Sequence, residues 1–307
     1  MDKLILVAGA TGNLGQKICR ELINRNAKVR AIIREESSKE KVDFLEKMGI
    51  EIFKADLSDE HELIKACSGV SCLVSALAGL SDIIVVAQTK LLNAAISAGV
   101  KHFIPSDFSS DFTSIPVGEN RNFDLRKEFK IYIDKSPIKV TSIFNGCFAD
   151  ILRYNTPLFN VPEKTIAYYD GKQDWKIDFT TMDDTAAYTA MAALDNLAPR
   201  FLRIASFSIS PNDLVHLSEK HKGIEFELVN MGTMEEFSAY NKSQRTANAA
   251  GENELYPRWQ QSQYLYSMFF AHHKNFDNDR YKGLTWSSVE ENIQSIFINH
   301  QKNDQRK

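Results

Sequence analysis

Leu4-Ile-Leu-Val-Ala-Gly9-Ala-Thr-Gly12-Asn-Leu-Gly15 opens the chain: an apolar run, three glycines at fixed spacing, then the start of a helical repeat. Residues 3–8 are near-continuously apolar, as a strand buried on both faces of a parallel sheet must be. Leu14, Ile18 and Leu22 recur at i, i+4 and i+8 and give the following helix one stripe to lay on that sheet. Gly9 permits the tight turn, Gly12 lets backbone approach a pyrophosphate with no Cβ in the way, and Gly15 allows close packing of helix on strand. The N–H groups at the helix start, with roughly half a positive charge from the helix dipole, then favour phosphate. Gly9, Thr11, Gly12, Asn13, Leu14 and Gly15 are therefore expected to form a cofactor cradle. Its spacing is G-x-x-G-x-x-G, a variant of the commoner G-x-G-x-x-G.

The end of the second strand selects the cofactor. Lys28 to Ile33 reads as that strand and runs into Arg34-Glu-Glu-Ser-Ser-Lys39. An acid at this place accepts from a ribose 2′-hydroxyl, whereas an arginine suits a 2′-phosphate. Arg34 comes first, so the expectation is NADPH, with Ser37, Ser38 and Lys39 adding contacts to the phosphate. The competing reading makes Glu35 or Glu36 the ribose ligand and Arg34 a solvated charge.

The rest of the first half alternates strand and helix signals. Strands are expected at Ile50 to Lys54, Ser71 to Ser75 and Lys101 to Ile104, with helices at Asp59 to Cys67 and Ile83 to Ala98. Such alternation defines an α/β, doubly wound parallel sheet whose ligands sit at the carboxyl ends of the strands. Asp56 then either bonds an adenine amine or caps a turn. Small residues at Ala76, Ala78 and Gly79, around Leu77, leave room for a ribose. Ser106 and Asp107 fall near a nicotinamide, or form a turn after Pro105.

Composition bounds the alternatives. The chain has 307 residues and a net charge of −3, with 37 Lys and Arg against 40 Asp and Glu, so it presents no basic field for a nucleic-acid backbone. Its apolar content of 43% and charged content of 25% are those of a soluble globular enzyme, with no linker or low-complexity tract. The apolar N-terminus runs directly into the glycine turn, which argues against a leader or a membrane span and for the cytoplasm. Cys19, Cys67, Cys72 and Cys147 contain no C-x-x-C pair and read as reduced thiols.

The chain resembles the NmrA-like and isoflavone-reductase-like branch of the atypical short-chain dehydrogenases/reductases. The resemblance rests on Gly9 to Gly15, Arg34, Ala55-Asp-Leu57, Gly99-Val-Lys-His-Phe-Ile-Pro-Ser-Asp-Phe108, Ile143-Phe-Asn-Gly-Cys-Phe148 and Asp178 to Ala186. It implies a Rossmann-like lobe for NADPH over residues 1–150, joined by about 178–194, and a smaller α+β substrate lobe over 151–307. Cofactor contacts are implied at Asp56, Ala76, Leu77, Ala78, Ser106, Asn145, Cys147 and Phe148, beside the cradle and Arg34. The partner implied is a small enone-like, quinone-like or phenolic substrate for a reductase acting as monomer or homodimer. The other implied role is an NADP(H) sensor without turnover, working through a protein partner.

The catalytic positions depart from the family pattern. Tyr168 and Lys172 are the only Tyr-x-x-x-Lys, but Asp170-Gly171 between them is a hairpin-turn dipeptide joining Thr165–Tyr169 to Lys172–Phe179, so the two do not share a helix. The isoflavone-reductase-like branch uses a single helix lysine, and the corresponding position is Arg126. A guanidinium stabilises a developing enolate or alkoxide but does not serve as a general base. Lys130, one turn later on the same face, is the candidate proton relay. The alternative is that Lys127, Lys130 and Lys135 are the solvated face of a surface helix. No metal site is expected, since His216 and His221, and His272 and His273, lack a shared face. Thr181-Met-Asp-Asp184 reads as a helix cap. Trp259, Tyr264, Tyr266, Phe269 and Phe270 read as helix-face core, or as the lining of a substrate cleft.

Overall fold

The structure is a computed structural model and describes residues 3–304. Six strands, β1 (Leu4–Ala8), β2 (Lys28–Ile33), β3 (Glu51–Lys54), β4 (Cys72–Ser75), β5 (His102–Ile104) and β6 (Lys139–Val140), form one sheet in the order β3-β2-β1-β4-β5-β6. Every pairing in it is parallel. Strand order reverses between β1 and β4, which creates the crevice where ligands of such sheets bind. Along β1 the pleat sends Ile5 and Val7 to one face and Leu6 and Ala8 to the other, and all four are fully buried. This is why the strand reads as a continuous apolar run.

The connecting helices are α1 (Asn13–Asn24), α2 (Lys39–Lys47), α3 (Glu60–Ala66), α4 (Gln88–Ser97) and α5 (Arg121–Asp134), with a π-helical stretch at Asp82–Ala87 leading into α4. The Ile5 face packs Ile18, Leu22 and part of α6 (Met182–Leu194). The Leu6 face packs Leu63, Leu91, Phe103 and Phe129. Lys17 on α1 bonds Asp183 on α6 at 2.6 Å, tying the returning helix to the first. The chain rejoins this core again at Leu202 and Ile204 and at Tyr281, Leu284 and Trp286, which the division at residue 150 does not anticipate.

The remaining strands are short: β7 (Ser142–Phe144), β8 (Cys147–Phe148), β9 (Thr165–Tyr168), β10 (Ile177–Thr180), β11 (Phe201–Arg203), β12 (Phe207–Ile209) and β13 (Glu227–Asn230). They pair as β12-β10-β8, β11-β7 and β13-β9. With α7 (Pro211–Lys222), α8 (Met234–Ala247), α9 (Arg258–Phe270) and α10 (Val289–Asp304) they enclose a second core around Phe159, Phe179, Phe237, Phe269 and Phe297. The expected hairpin at Asp170-Gly171 is corrected here. Both residues do adopt the left-handed turn conformation, with φ of 53° and 67°. The flanking segments nevertheless pair elsewhere, β9 with β13 and β10 with β8 and β12. A turn fixes local direction, but partner choice follows from burial of Ile166 and Phe179 against different neighbours.

Arg121, 7% exposed, stitches the two halves together. Its guanidinium donates to the carbonyls of Gly251, Glu252, Glu254 and Leu255 at 2.9–3.2 Å and lies 4.7 Å above the Trp259 ring. Asn122 adds bonds to Leu255 O and the Tyr264 hydroxyl. The start of α5, and the side chains that follow on it, are thereby fixed against α9.

Candidate active site at the carboxyl ends of the strands

The glycine turn is built as backbone demands. Gly9 takes φ +82°, and a Cβ there would lie 2.5 Å from Ala76 O; a Cβ on Gly15 would lie 2.1 Å from Gly9 O. Both glycines are thus required by close approach of the turn to β4 and of α1 to the turn. Gly12 caps α1 without a side-chain bond, and the first turn holds no acid. Gly12 and Asn13 are exposed at the helix start. That geometry leaves helix N–H groups open to an anion.

Arg34 is the first residue beyond β2, exposed, and its guanidinium has no partner among the described residues. Its neighbour Glu35 is occupied: Lys54, at the end of the adjacent β3, donates to Glu35 Oε1 at 2.7 Å. Ser38 caps α2 without using its hydroxyl, and Lys39 begins that helix on the surface. Asp56 uses one carboxylate oxygen to accept from Ser58 N at 2.8 Å, and that bond holds its carboxyl below the ordinary range. Turn capping is thus what the structure shows Asp56 doing.

On the other side of the switch point, Ala76, Leu77 and Ala78 follow β4, and Leu77 O accepts from Ser106 Oγ at 2.6 Å. Gln88 Oε1 accepts from Ser106 N. Ser106 O accepts from Arg126 Nε at 3.0 Å, and Asn122 O accepts from Arg126 Nη1 at 2.9 Å. Arg126 therefore reaches the carboxyl end of β5 and keeps N–H groups beyond those used on these two carbonyls. Lys130 is placed differently. Its ammonium pairs with Asp134 and faces the Phe201 ring at 5.9 Å, and it makes no bond to Ser106. Lys127 donates to Ile115 O and Asp124.

Asp107 was a secondary candidate in the sequence and proves the more unusual group. It is 1% exposed; Oδ2 accepts from Ser142 Oγ at 2.6 Å and Oδ1 has no partner. Burial pushes its carboxyl above the ordinary range, against the Ser142 bond and the nearby Arg126, Arg200 and Lys130 charges. Ser142 in turn accepts from Arg200, and Arg200 donates to Asp134, the partner of Lys130. Nothing in the local sequence signals this network, because Asp107, Ser142, Arg200 and Lys130 come from four separate segments. Asn145, fully buried, donates to Thr185 at 3.2 Å and keeps an unpartnered Oδ1. Burial pushes the Cys147 thiol up to about 12, against the Ser110 hydrogen bond. Phe148 packs against the first core.

Two cavities open away from this line. One of about 580 Å³, lined by Arg25, Met191, Asp195 and Arg280, lies at the amino ends of the strands. Another of about 430 Å³ adjoins Asn13 and Lys17 beside the start of α1. Trp259, Tyr266 and Phe269 are buried core, in keeping with their helical spacing. Among the described residues no cluster of three or more His, Cys, Asp or Glu is disposed to hold a metal, and no helix is long and apolar enough to cross a membrane.

A parallel sheet with its strand reversal, a glycine-bounded turn after β1 and an open helix start define a Rossmann-type α/β protein. The chain belongs to the NmrA-like family, whose model matches residues 1–278. It is similar to pinoresinol reductase 1 of Arabidopsis thaliana, 32% identical over 276 residues that cover 82% of this chain and 84% of the relative. The solved structure described as AtPrR2 with NADP+ and (+)pinoresinol shares the fold at a TM-score of 0.77 and 24% identity, covering 96% of this chain and 99% of that one. The leucoanthocyanidin reductase–NADPH complex from Vitis vinifera shares it at 0.78 and 19%, with 96% and 99% covered.

Proposed function

We propose that this chain is an NADPH-dependent reductase acting on a small aromatic, phenylpropanoid-type substrate. The observation that carries the cofactor is the division of labour at β2: Glu35 is held by Lys54 while the Arg34 side chain has no partner among the described residues. The substrate class is supported by the similarity to a pinoresinol reductase and by NADP+ and pinoresinol in a structure of the same fold.

The residues present fit the dinucleotide. Gly9, Thr11, Gly12, Asn13, Leu14 and Gly15 would hold its pyrophosphate with backbone N–H groups, in a turn so close to β4 and to α1 that a Cβ at Gly9 or Gly15 would strike backbone. Arg34, Ser37, Ser38 and Lys39 would hold the 2′-phosphate. Ala76, Leu77, Ala78, Ser106, Asn145, Cys147 and Phe148 would line the nicotinamide side, and Asp56 would serve the adenine. When bound, NADPH supplies the hydride.

The protein's share is charge and proton. Arg126, held by Ser106 O and Asn122 O, presents its remaining N–H groups to negative charge developing on the substrate oxygen. Asp107, whose carboxyl burial pushes above the ordinary range within the field of Arg126, is the candidate proton donor. Lys130 sits at the outer end of the Asp134–Arg200–Ser142 chain and acts by positioning it and by its charge, without direct contact and without passing a proton through Arg200. The test is NADPH oxidation with pinoresinol, a phenylcoumaran, an isoflavone and a simple quinone; consumption with stoichiometric reduced product supports the reading. One observation favours a second reading, an NADP(H) sensor working through a protein partner: two donors of Arg126 are committed to backbone carbonyls where the family places a lysine. Tight NADPH binding with no oxidation across the whole panel would favour the sensor.

A further inference from the structure

The π-helical stretch Asp82–Ala87 interrupts the helix that follows β4, and it decides how the side chain of Gln88 is used. Backbone N–H groups in a π-helix reach five residues back. The Gln88 N–H accordingly bonds Ile83 O, and Ile84 O, its partner in a regular α-helix, accepts from Gln88 Nε2 at 2.8 Å. Gln88 is fully buried, so both ends of its amide need partners. With the amino end held by that carbonyl, the amide oxygen accepts from Ser106 N at 3.0 Å. The orientation of the amide is fixed by chemistry, because Ile84 O can only accept and Ser106 N can only donate.

Ser106 N matters because of what its peptide is bonded to. Pro105 carries no N–H, so Ser106 provides the first backbone donor beyond β5. The Pro105–Ser106 peptide that Gln88 holds at its nitrogen also carries Pro105 O, which accepts from Asp107 N at 2.8 Å and closes a three-residue turn. Asp107 N in turn shares a rigid peptide with Ser106 O, the acceptor for Arg126 Nε at 3.0 Å. One side-chain amide thus orients two successive peptide planes. The second presents the carbonyl that holds Arg126 and leads directly to the buried Asp107 carboxyl. Ser106 Oγ, bonded to Leu77 O, fixes the serine side chain and belongs to neither plane.

We propose that Gln88 is a positioning residue for the reduction: through the 105–107 turn it holds Arg126 and Asp107 at the carboxyl end of β5, and the π-helical stretch is what aims it. The role rests on the reductase reading. Gln88 is buried in protein and acts through these two groups, so its loss should slow the chemical step and leave binding of cofactor and substrate nearly intact.

The experiment is steady-state NADPH oxidation with whichever of pinoresinol, a phenylcoumaran, an isoflavone and a simple quinone the unmodified protein reduces, alongside fluorescence titration of NADPH. Gln88→Met keeps the length and burial of the side chain without its donor, and Gln88→Asn keeps the amide on a stem too short to span Ile84 O and Ser106 N. Thr89→Val is the control: it removes a neighbouring bond to the same stretch, Thr89 Oγ1 to Val85 O at 2.6 Å, and leaves Ser106 alone. Gln88→Met and Gln88→Asn should lower kcat by about 10- to 100-fold, with KM and NADPH affinity within about 3-fold, and Thr89→Val should keep kcat within about 2-fold. Should Gln88→Met not fold, Gln88→Asn carries the comparison. A kcat retained in the Gln88 variants, an equal loss in Thr89→Val, or a parallel loss of NADPH affinity overturns the positioning role and leaves the reductase reading standing. If the unmodified protein oxidises NADPH with none of the four compounds, the reductase reading falls and this role falls with it.

Discussion

Lys54 Nζ lies 2.7 Å from Glu35 Oε1, across the junction of the two outermost strands on that side of the sheet. Both groups are exposed, so the pair contributes little to stability. On the proposed reading its effect is on selectivity: it engages Glu35, and Arg34 would be the residue that faces the 2′-phosphate. Arg34→Ala should therefore weaken NADPH binding by roughly 10- to 150-fold, the equivalent of ~1.5 to 3 kcal/mol for a charge-assisted bond, while NADH affinity changes little. Fluorescence titration of both dinucleotides checks this; equal affinities in the unmodified protein would return the ribose acid to Glu36 or Glu35.

Gly15→Ala places a methyl 2.1 Å from Gly9 O, against the backbone of the Gly9–Ala10 turn. The expected loss is about 3 kcal/mol, at the upper end of overpacking costs, together with loss of dinucleotide binding. Gly49→Ala is the control. Its φ is +76° with no atom within 4 Å of the added carbon, so only backbone strain of about 1 kcal/mol applies. Urea midpoints of the two variants should separate accordingly.

Arg126→Ala should lower kcat by about 100-fold or more, as removal of a transition-state charge partner does, and leave NADPH affinity nearly intact. Lys130→Ala should lower kcat only modestly, because its ammonium meets Asp134 and not the reacting end of β5. Asp107→Asn separates the roles: loss of kcat at unchanged KM marks a proton source. Steady-state kinetics on the substrate found in the panel decides all three.

His102 is buried against Thr141 Oγ1 at 2.8 Å, and burial lowers its pKa from 6.5 to about 4, aided by Lys139. The unfolded chain binds this proton near 6.5 and the folded chain only near 4, so stability is full above 6.5 and falls as pH drops towards 4. Between pH 7 and 5 this one group should account for about 2 kcal/mol. Denaturant titrations of His102→Gln at the two pH values should show a correspondingly smaller pH effect than the unmodified protein; an unchanged difference would assign the loss elsewhere.

Arg121→Ala would leave four carbonyls of the 251–255 segment without their donor and should cost about 3 kcal/mol. Arg121→Lys should recover only part, since an ammonium cannot span the same fork of acceptors. Thermal unfolding of both variants provides the comparison.

The sheet, its parallel sense and the glycine cradle were legible in the residues because each is a local pattern. β1 alternates between two buried faces and must be apolar throughout, and Gly9 and Gly15 sit where a Cβ has no room. Asp170-Gly171 shows the limit: the turn was readable, whereas the strands beside it found partners in β8, β12 and β13. The sequence left Arg34 and Glu35 as rivals, and the observation that bears on the choice is the approach of Lys54 to Glu35 from a neighbouring strand. Likewise Lys130 shares a helix face with Arg126, yet Arg200, seventy residues further on, brings Asp134 into a network that holds it away from Ser106. Periodicity and glycine spacing act over a few residues and are written in order along the chain. Which charges are paired, and which buried polar atoms such as those of Asp107 and His273 remain open, depends on segments that meet only when the two cores close.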